Sequence, residues 1–366
     1  MCLGVNDNLK IVKGREKTIS DTILTWSAQN PRVLPWKNTK DPYKIWISEI
    51  ILQQTRVEQG APYYDRFIKA FPSVWDLASA DFDDVLKLWE GLGYYRRAKH
   101  LHETAKVITT DYAGIFPNTY NQIKALKGIG PYTAAAVSSF AFDLPHAVID
   151  GNVMRVVARL FNIRESIDSR DGKRNIEKHT KLIFAPDKAA AFNQAIMDFG
   201  AMQCVPANPT CDRCVLKTMC GAFQRQLVSQ IPGKKLKRTK KKRYFYYVIL
   251  NRGKDVWLRK RAKQDIWQHL YEFHLIERDK PTVWSDLEQS IDLKTEIVSI
   301  SDIYQQTLTH QKIYATFVEV NYSGPPEVLL QQGFQLSSRK QIRKFTFPKI
   351  IDCYLLDKSV NLNLAL

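Results

Sequence analysis

The stretch Leu126–Asn152, LKGIGPYTAAAVSSFAFDLPHAVIDGN, decides how the rest of the chain is read. Gly128 and Gly130 flank Ile129 as in a tight hairpin, and Pro131 suits a first helical position, where its fixed φ fits and its missing N–H costs nothing. Small residues (Ala134 to Ala136) fill the helix, and Asp150 waits beyond its far end, ahead of a second helix. Such a hairpin aims backbone N–H groups and a helix N-terminus at one point, where a phosphate would sit. Gly128 and Gly130 are therefore expected to grip a DNA backbone, with Asp150 presenting a carboxylate to it.

Composition supports a polyanionic partner. Lys and Arg number 54 against 37 Asp and Glu, a formal charge of +17, and eight of the basic residues lie in Lys234–Arg243, KKLKRTKKKR. About half of the excess is thus spread elsewhere, which favours nucleic acid over a membrane; no stretch is apolar enough to span a bilayer. The N-terminus lacks the apolar core of a signal peptide, so a reducing compartment is expected, cytoplasmic (nucleoid) in a bacterium. Of six cysteines, four fall between 204 and 220 and two, Cys2 and Cys353, stand alone, which is no disulfide framework.

Residues 1–228 read as all-α. Asp41-Pro42 starts a helix with an acceptor at the N-cap and Pro at N1, expected to run from Tyr43 to about Gln59 with Glu49 among apolar neighbours. Further helices are expected at Thr18–Ala28, Pro62–Ala70, Phe82–Glu90, Tyr95–Thr110, Tyr120–Lys127, Val153–Phe161, Arg174–Ile183 and Ala189–Met202. Residues 229–243, with Pro232, Gly233 and the basic run, read as a linker that adds non-specific affinity for phosphate. In 244–366 strands are expected at Tyr244–Leu250, Val256–Arg261, Ile313–Val320 and Phe345–Ile351, with helices at Trp284–Gln289 and Ser338–Lys344. That makes a separate α+β domain.

The cysteine spacing, Cys204-x6-Cys211-x2-Cys214-x5-Cys220, indicates a metal or cluster site. Spacing alone leaves zinc and an iron–sulfur cluster open, although the missing second CxxC weakens a zinc ribbon.

This spacing is similar to the cluster loop of the endonuclease III superfamily of DNA glycosylases, which holds a 4Fe–4S cluster. That superfamily also carries a helix–hairpin–helix followed by a loop ending in Asp, which LKGIGPYTAAAV and VIDGNVMRV resemble in order and spacing. LPWK (34–37), WISEIILQQTRV (46–57), WEGLGYYRRA (89–98) and TLTHQK (307–312) narrow the resemblance to the MutY type of adenine DNA glycosylase. The resemblance implies an all-α helix–hairpin–helix core with an iron–sulfur loop. A six-helix lobe at about 30–135 would be inserted in a cluster-bearing lobe of 1–29 and 136–228. The C-terminal domain would be Nudix-like. The metal-binding Nudix helix, with its Arg-Glu and Glu-Glu pairs, is absent from 244–366, which leaves recognition rather than hydrolysis.

The same resemblance distributes roles. Asp150 is expected to stabilise an oxocarbenium-like sugar, as in glycosidases, with a transient covalent adduct. As a bare sequence feature, it also reads simply as a helix N-cap. Glu49, flanked by Trp46, Ile47 and Ile50, would hold a proton near neutral pH and deliver it to N7 of a departing adenine. A Glu on a helix is otherwise a solvated position. Tyr132 stands where strand-cutting relatives have a Schiff-base lysine, so base release without efficient strand cleavage is expected. Asn152 matches a residue that hydrogen-bonds beside the catalytic Asp. Gln54, Thr55 and Tyr94 match residues entering the base stack, Tyr94 reading otherwise as a core aromatic. Arg32, Trp36 and Gln194 match the surroundings of the flipped adenine. Leu308, Thr309 and His310 match a loop that reads 8-oxoguanine, with Leu and Thr where many relatives have an aromatic residue and Ser.

The expectation is a monomeric, monofunctional adenine DNA glycosylase acting on double-stranded DNA with A:8-oxoguanine or A:G mispairs. Its rivals are an oxidised-pyrimidine glycosylase/lyase and a non-catalytic lesion sensor. Tyr132 and the extra domain speak against the first, and the pair of carboxyl groups against the second.

Overall fold

The computed structural model describes residues 5–37, 39–233, 239–262, 264–288 and 295–362. The chain forms two compact units, one of residues 1–79 and 100–236, the other of 80–99 and 237–366. Among the described residues before Lys241 there is no strand, and no helix is long and apolar enough to cross a membrane. The two-part character, all-α followed by α+β, is as expected. Five positions of the basic run (234–238) lie outside the described residues.

In chain order the helices are α1 Val5–Gln29, α2 Pro42–Leu52, α3 Val57–Ala70, α4 Val74–Ser79, α5 Phe82–Trp89, α6 Arg96–Asp111, α7 Tyr120–Ala125, α8 Pro131–Phe142, α9 Gly151–Leu160, α10 Arg170–Ile183, α11 Ala189–Met202 and α12 Gly221–Gln224. Asp41 caps α2 as its sequence predicts, accepting from the Tyr43 N–H at 2.9 Å. The single helix expected to reach Gln59 is interrupted. Gln53 ends α2 at φ −57° and ψ 113° and Gln54 takes a left-handed φ of +56°, so the chain turns and restarts as α3. The apolar pattern continues across this break, which hid it from a periodicity argument.

One core of the first unit joins α1, α9, α10 and α11, where Ile19, Ile23, Val153, Val157, Ile176, Phe192, Ile196 and Phe199 are buried together. Separately, α2 packs on α8. Those two packings place the middle of α2 and the starts of α8 and α9 around common ground.

Among the described residues, the second unit is built on an eight-stranded sheet. Its strands are β1 Lys241–Arg252, β2 Asp255–Lys260, β3 Tyr271–Glu272, β4 His274–Arg278, β5 Thr295–Ile300, β6 Tyr304–Thr307, β7 Gln311–Tyr322 and β8 Phe334–Ser338. The long pair β1 and β7 runs parallel, Phe245 opposite Ala315 and Leu250 opposite Val320. Both faces are covered: Phe245, Tyr247, Phe317 and Ile351 form one core, and Val248, Leu250, Trp257 and Val318 the other. A strand buried on both faces reads as a continuous apolar run, as YFYYVIL does. β1 begins three residues earlier than expected, inside the basic run.

One strand expectation fails. Residues 345–348 are irregular and Lys349–Leu362 is a helix, α15, following α13 Trp284–Glu288 and α14 Pro326–Gln331. The β-branched and aromatic residues of this stretch suggested a strand, yet Phe347, Ile351 and Tyr354 recur at helical spacing and bury one face. Tertiary packing overrides the local propensity.

Candidate active site

Gly128 sits at φ +78°, and a Cβ there would come within 2.6 Å of the His100 Cβ, so both conformation and space call for glycine. Gly130 is the N-cap of α8 and supplies no side-chain acceptor, leaving the first-turn amides facing outward as an anion site would need. Two residues in, Tyr132 turns its side chain inward. Its hydroxyl lies close enough to the Glu49 carboxyl, in the middle of α2, to favour that group's ionised form.

Glu49 is 6% exposed, with Ile45, Trp46, Ile50 and Ile51 buried around it. The solvated reading of this residue is thereby excluded. Burial lifts its carboxyl to about 7, against the Tyr132 hydrogen bond, which favours the ionised form; negative charge on Asp150 adds to the rise. Tyr132 is itself pushed well above its ordinary range by burial and by Glu49.

Asp150 caps α9, accepting from the Val153 N–H and from Asn152 Nδ2, each at 2.7 Å. Burial still raises its carboxyl on balance, but these donors and Arg155 oppose the shift. Two carboxyl groups thus share one cavity in unlike surroundings: one holds its proton, the other is surrounded by donors. Cap and functional carboxylate are compatible readings of the same residue.

Arg155, which the sequence reading passed over, fixes this arrangement from behind. Its guanidinium donates to Asn152 Oδ1 at 2.8 Å, to Gly200 O at 2.6 Å and to Cys204 O at 2.8 Å. With its oxygen taken, Asn152 must turn its amide nitrogen to Asp150. α11 can come this close only at Gly200, where a Cβ would lie 2.7 Å from the Asn152 Cβ. Replacing Arg155 with Gln is expected to slow the reaction of this site by up to about 100-fold, as displaced catalytic groups do. Single-turnover rates would show it, and an unchanged rate would refute the positioning role.

A cavity of about 460 Å³ is lined by Glu49, Tyr132, Asp150 and Asn152 together with Arg32, Trp36, Thr55 and Gln194. Eight residues singled out from four separated sequence stretches therefore converge. Gln54 does not line it; its left-handed turn stands at the end of α2. Lys37 and Asp198 are among the further lining residues that the sequence reading did not name as site residues. Lys37 lies in the quoted LPWK motif. Asp198 gave no signal, being one acidic residue on a helix of apolar pattern.

Four further candidates lie in the second unit. Tyr94, 47% exposed and at φ +50°, shares a 2.6 Å hydrogen bond with Thr309 Oγ1. A left-handed tyrosine costs about 1 kcal/mol or more and persists only where its surroundings impose it. Leu308–His310 is the turn between β6 and β7, closed by Leu308 N–H to Gln311 O at 2.8 Å. Thr309 and His310 are exposed, and Leu308 is half-buried against the domain core. The core-aromatic reading of Tyr94 does not hold.

Cys204, Cys211, Cys214 and Cys220 line one small cavity with Val156, Leu160, Phe199 and Leu216. Arg159 donates to Cys204 Sγ at 3.4 Å. Burial raises the thiols of Cys211 and Cys220, and that of Cys214 to about 11. Among the described residues no group of three or more His, Cys, Asp or Glu side chains is arranged closely enough to hold a metal ion.

Comparison with known proteins gives two domains. Residues 47–186 match the model of the HhH-GPD superfamily of base excision DNA repair proteins, and 245–356 match the NUDIX domain. An adenine DNA glycosylase of Buchnera aphidicola subsp. Baizongia pistaciae is 38% identical over 296 residues, 80% of this chain and 83% of that protein. The adenine DNA glycosylase of Mus musculus is 37% identical over 224 residues, 58% of this chain and 44% of that protein. A thermostable thymine-DNA glycosylase superposes with a TM-score of 0.53 at 31% identity, covering 58% of this chain and 98% of that one. An endonuclease III–DNA complex shares the fold at 20% identity, TM-score 0.51, over 59% of this chain and 98% of that one.

Proposed function

The chain belongs to the adenine DNA glycosylase family, and from that we propose that it excises adenine mispaired with 8-oxoguanine or guanine, without efficient strand cleavage. One observation carries the chemistry: a buried carboxyl, Glu49, lifted to about 7, in one cavity with the donor-supported carboxyl of Asp150. Glu49 protonates N7 of the flipped adenine as the N-glycosidic bond breaks, so the bonding pair leaves with a neutral base. Asp150 stabilises the positive charge left on the sugar, or bonds to it transiently, until water adds at C1′ and gives up its proton. Tyr132 shares the cavity with Glu49 and offers no amine for an imine.

The first-turn amides of α8 suit a phosphate of the substrate strand. In the second unit, Tyr94 and the Leu308–His310 turn form a hydrogen-bonded pair of elements suited to the base opposite adenine. Cys204, Cys211, Cys214 and Cys220 share a lined cavity with an arginine donor aimed at one sulfur, which fits a 4Fe–4S cluster. When bound, the cluster would cross-link the 204–220 loop through four thiolates. The chain's own residues do the bond-breaking.

Incubation with a duplex containing one A:8-oxoguanine pair, followed by hot alkali, is expected to cut the adenine strand at the abasic site. Without alkali the strand should stay largely intact, and borohydride should trap little adduct. Efficient cutting before alkali would point instead to a lyase.

A further inference from the structure

Asp198 lies in the middle of α11 at 2% exposure, and three residues of the base cavity converge on it. Lys37 Nζ donates to its Oδ2 at 2.7 Å, and Gln194 Nε2 donates to the same oxygen at 3.1 Å. The Arg32 guanidinium stands 3.7 Å from Oδ1, an oxygen that is buried and has no hydrogen-bond partner among the described residues. Lys37 and Asp198 are 161 positions apart in sequence. None of this is needed to protonate a base or to stabilise a sugar cation.

Its consequence is chemical. A primary amide presents an acceptor at one end and donors at the other, and which end faces a ligand is set by its fixed partner. A carboxylate accepts only. Asp198 therefore holds the nitrogen of Gln194 and leaves its oxygen as the amide's contribution to the cavity. It also collects the Arg32 guanidinium, a group of pure donors.

We propose that Asp198 is a specificity-determining positioning residue: it fixes Gln194 and Arg32 as an acceptor beside a donor, the complement of adenine's edge. Adenine offers an exocyclic amine next to a ring nitrogen lone pair. Hypoxanthine, with the same ring skeleton, offers an oxygen where the amine stands and would face the Gln194 oxygen. A site built to hydrogen-bond one pattern rejects its opposite because buried polar groups are left unpaired. The proposal rests on reading this cavity as the pocket of the flipped base.

Single-turnover excision from matched duplexes carrying adenine or hypoxanthine opposite 8-oxoguanine tests it in the full chain. Wild type should prefer adenine by at least about 100-fold. In Asp198→Asn, whose amide can donate as well as accept, Gln194 is free to invert and the preference should fall below about 10-fold. The loss should come from slower adenine release and a relative gain on hypoxanthine, with binding to an abasic-analogue duplex retained. Gln194→Met should collapse the preference similarly, and adding Asp198→Asn to it should change the ratio no further. A uniform loss of rate with the preference intact in Asp198→Asn, or an intact preference in Gln194→Met, would overturn the proposal. Failure of the wild type to release adenine at all would instead overturn the reading of the cavity.

Discussion

Glu49→Gln is expected to reduce the single-turnover rate of adenine release by about 10³-fold, within the range that general acids contribute. Glutamine keeps the shape but has no transferable proton. In the wild type the rate should fall as pH rises through about 7, because that is where Glu49 loses its proton. The variant should lack this limb. A second effect runs the other way. The unfolded chain releases the Glu49 proton near its ordinary value of 4.5, whereas the folded chain holds it until about 7. Between those values the native state binds the extra proton, so stability falls as pH rises, with the full cost reached above the folded value. The shift corresponds to about 3 kcal/mol at 1.36 kcal/mol per unit. Glu49→Gln should therefore be more stable than wild type at pH 8 and nearly equal to it at pH 4. A variant that kept its rate would remove Glu49 from the chemistry.

Asp150→Asn should cost at least about 10³-fold in rate, since a neutral amide cannot offset the sugar's positive charge. The fold should survive it. Asn serves about as well as Asp at an N-cap, so its oxygen can keep the Val153 N–H bond, and the cost of burying a charge disappears. Only the Asn152 contact must change, because the new amide nitrogen would face another donor. The substitution should also move Glu49: negative charge at Asp150 helps to hold that carboxyl up, so the alkaline limb of the residual rate should shift to lower pH. Near-normal melting with lost activity separates a chemical role from the cap. Retained activity would reduce Asp150 to the cap alone.

The parts of this protein that were legible in its sequence rest on short-range rules. Asp41-Pro42 names its helix start because a cap and its amides are neighbours. Gly128 is legible because its backbone conformation excludes other residues. YFYYVIL announces a strand covered on both faces. The same rules failed where distant packing set the outcome. Phe345–Ile351 carries strand-forming residues, yet its apolar positions are buried at helical spacing. The α2–α3 break follows from a left-handed glutamine inside an apolar pattern that runs on.

The candidate site divides along the same line. Sequence by itself determined the types of group present and, through the family resemblance, where the two carboxyl groups, the tyrosine and the cysteines stand. It could not determine their states. That Glu49 holds a proton near neutral pH depends on burial supplied by neighbours on several elements. That Asn152 turns its nitrogen to Asp150 depends on Arg155, whose other partners, Gly200 and Cys204, come from a later stretch. That Asp198 gathers Arg32, Lys37 and Gln194 depends on a contact across 161 positions. Protonation and hydrogen-bond orientation are properties of surroundings rather than of residues, and only the tertiary structure decides the surroundings.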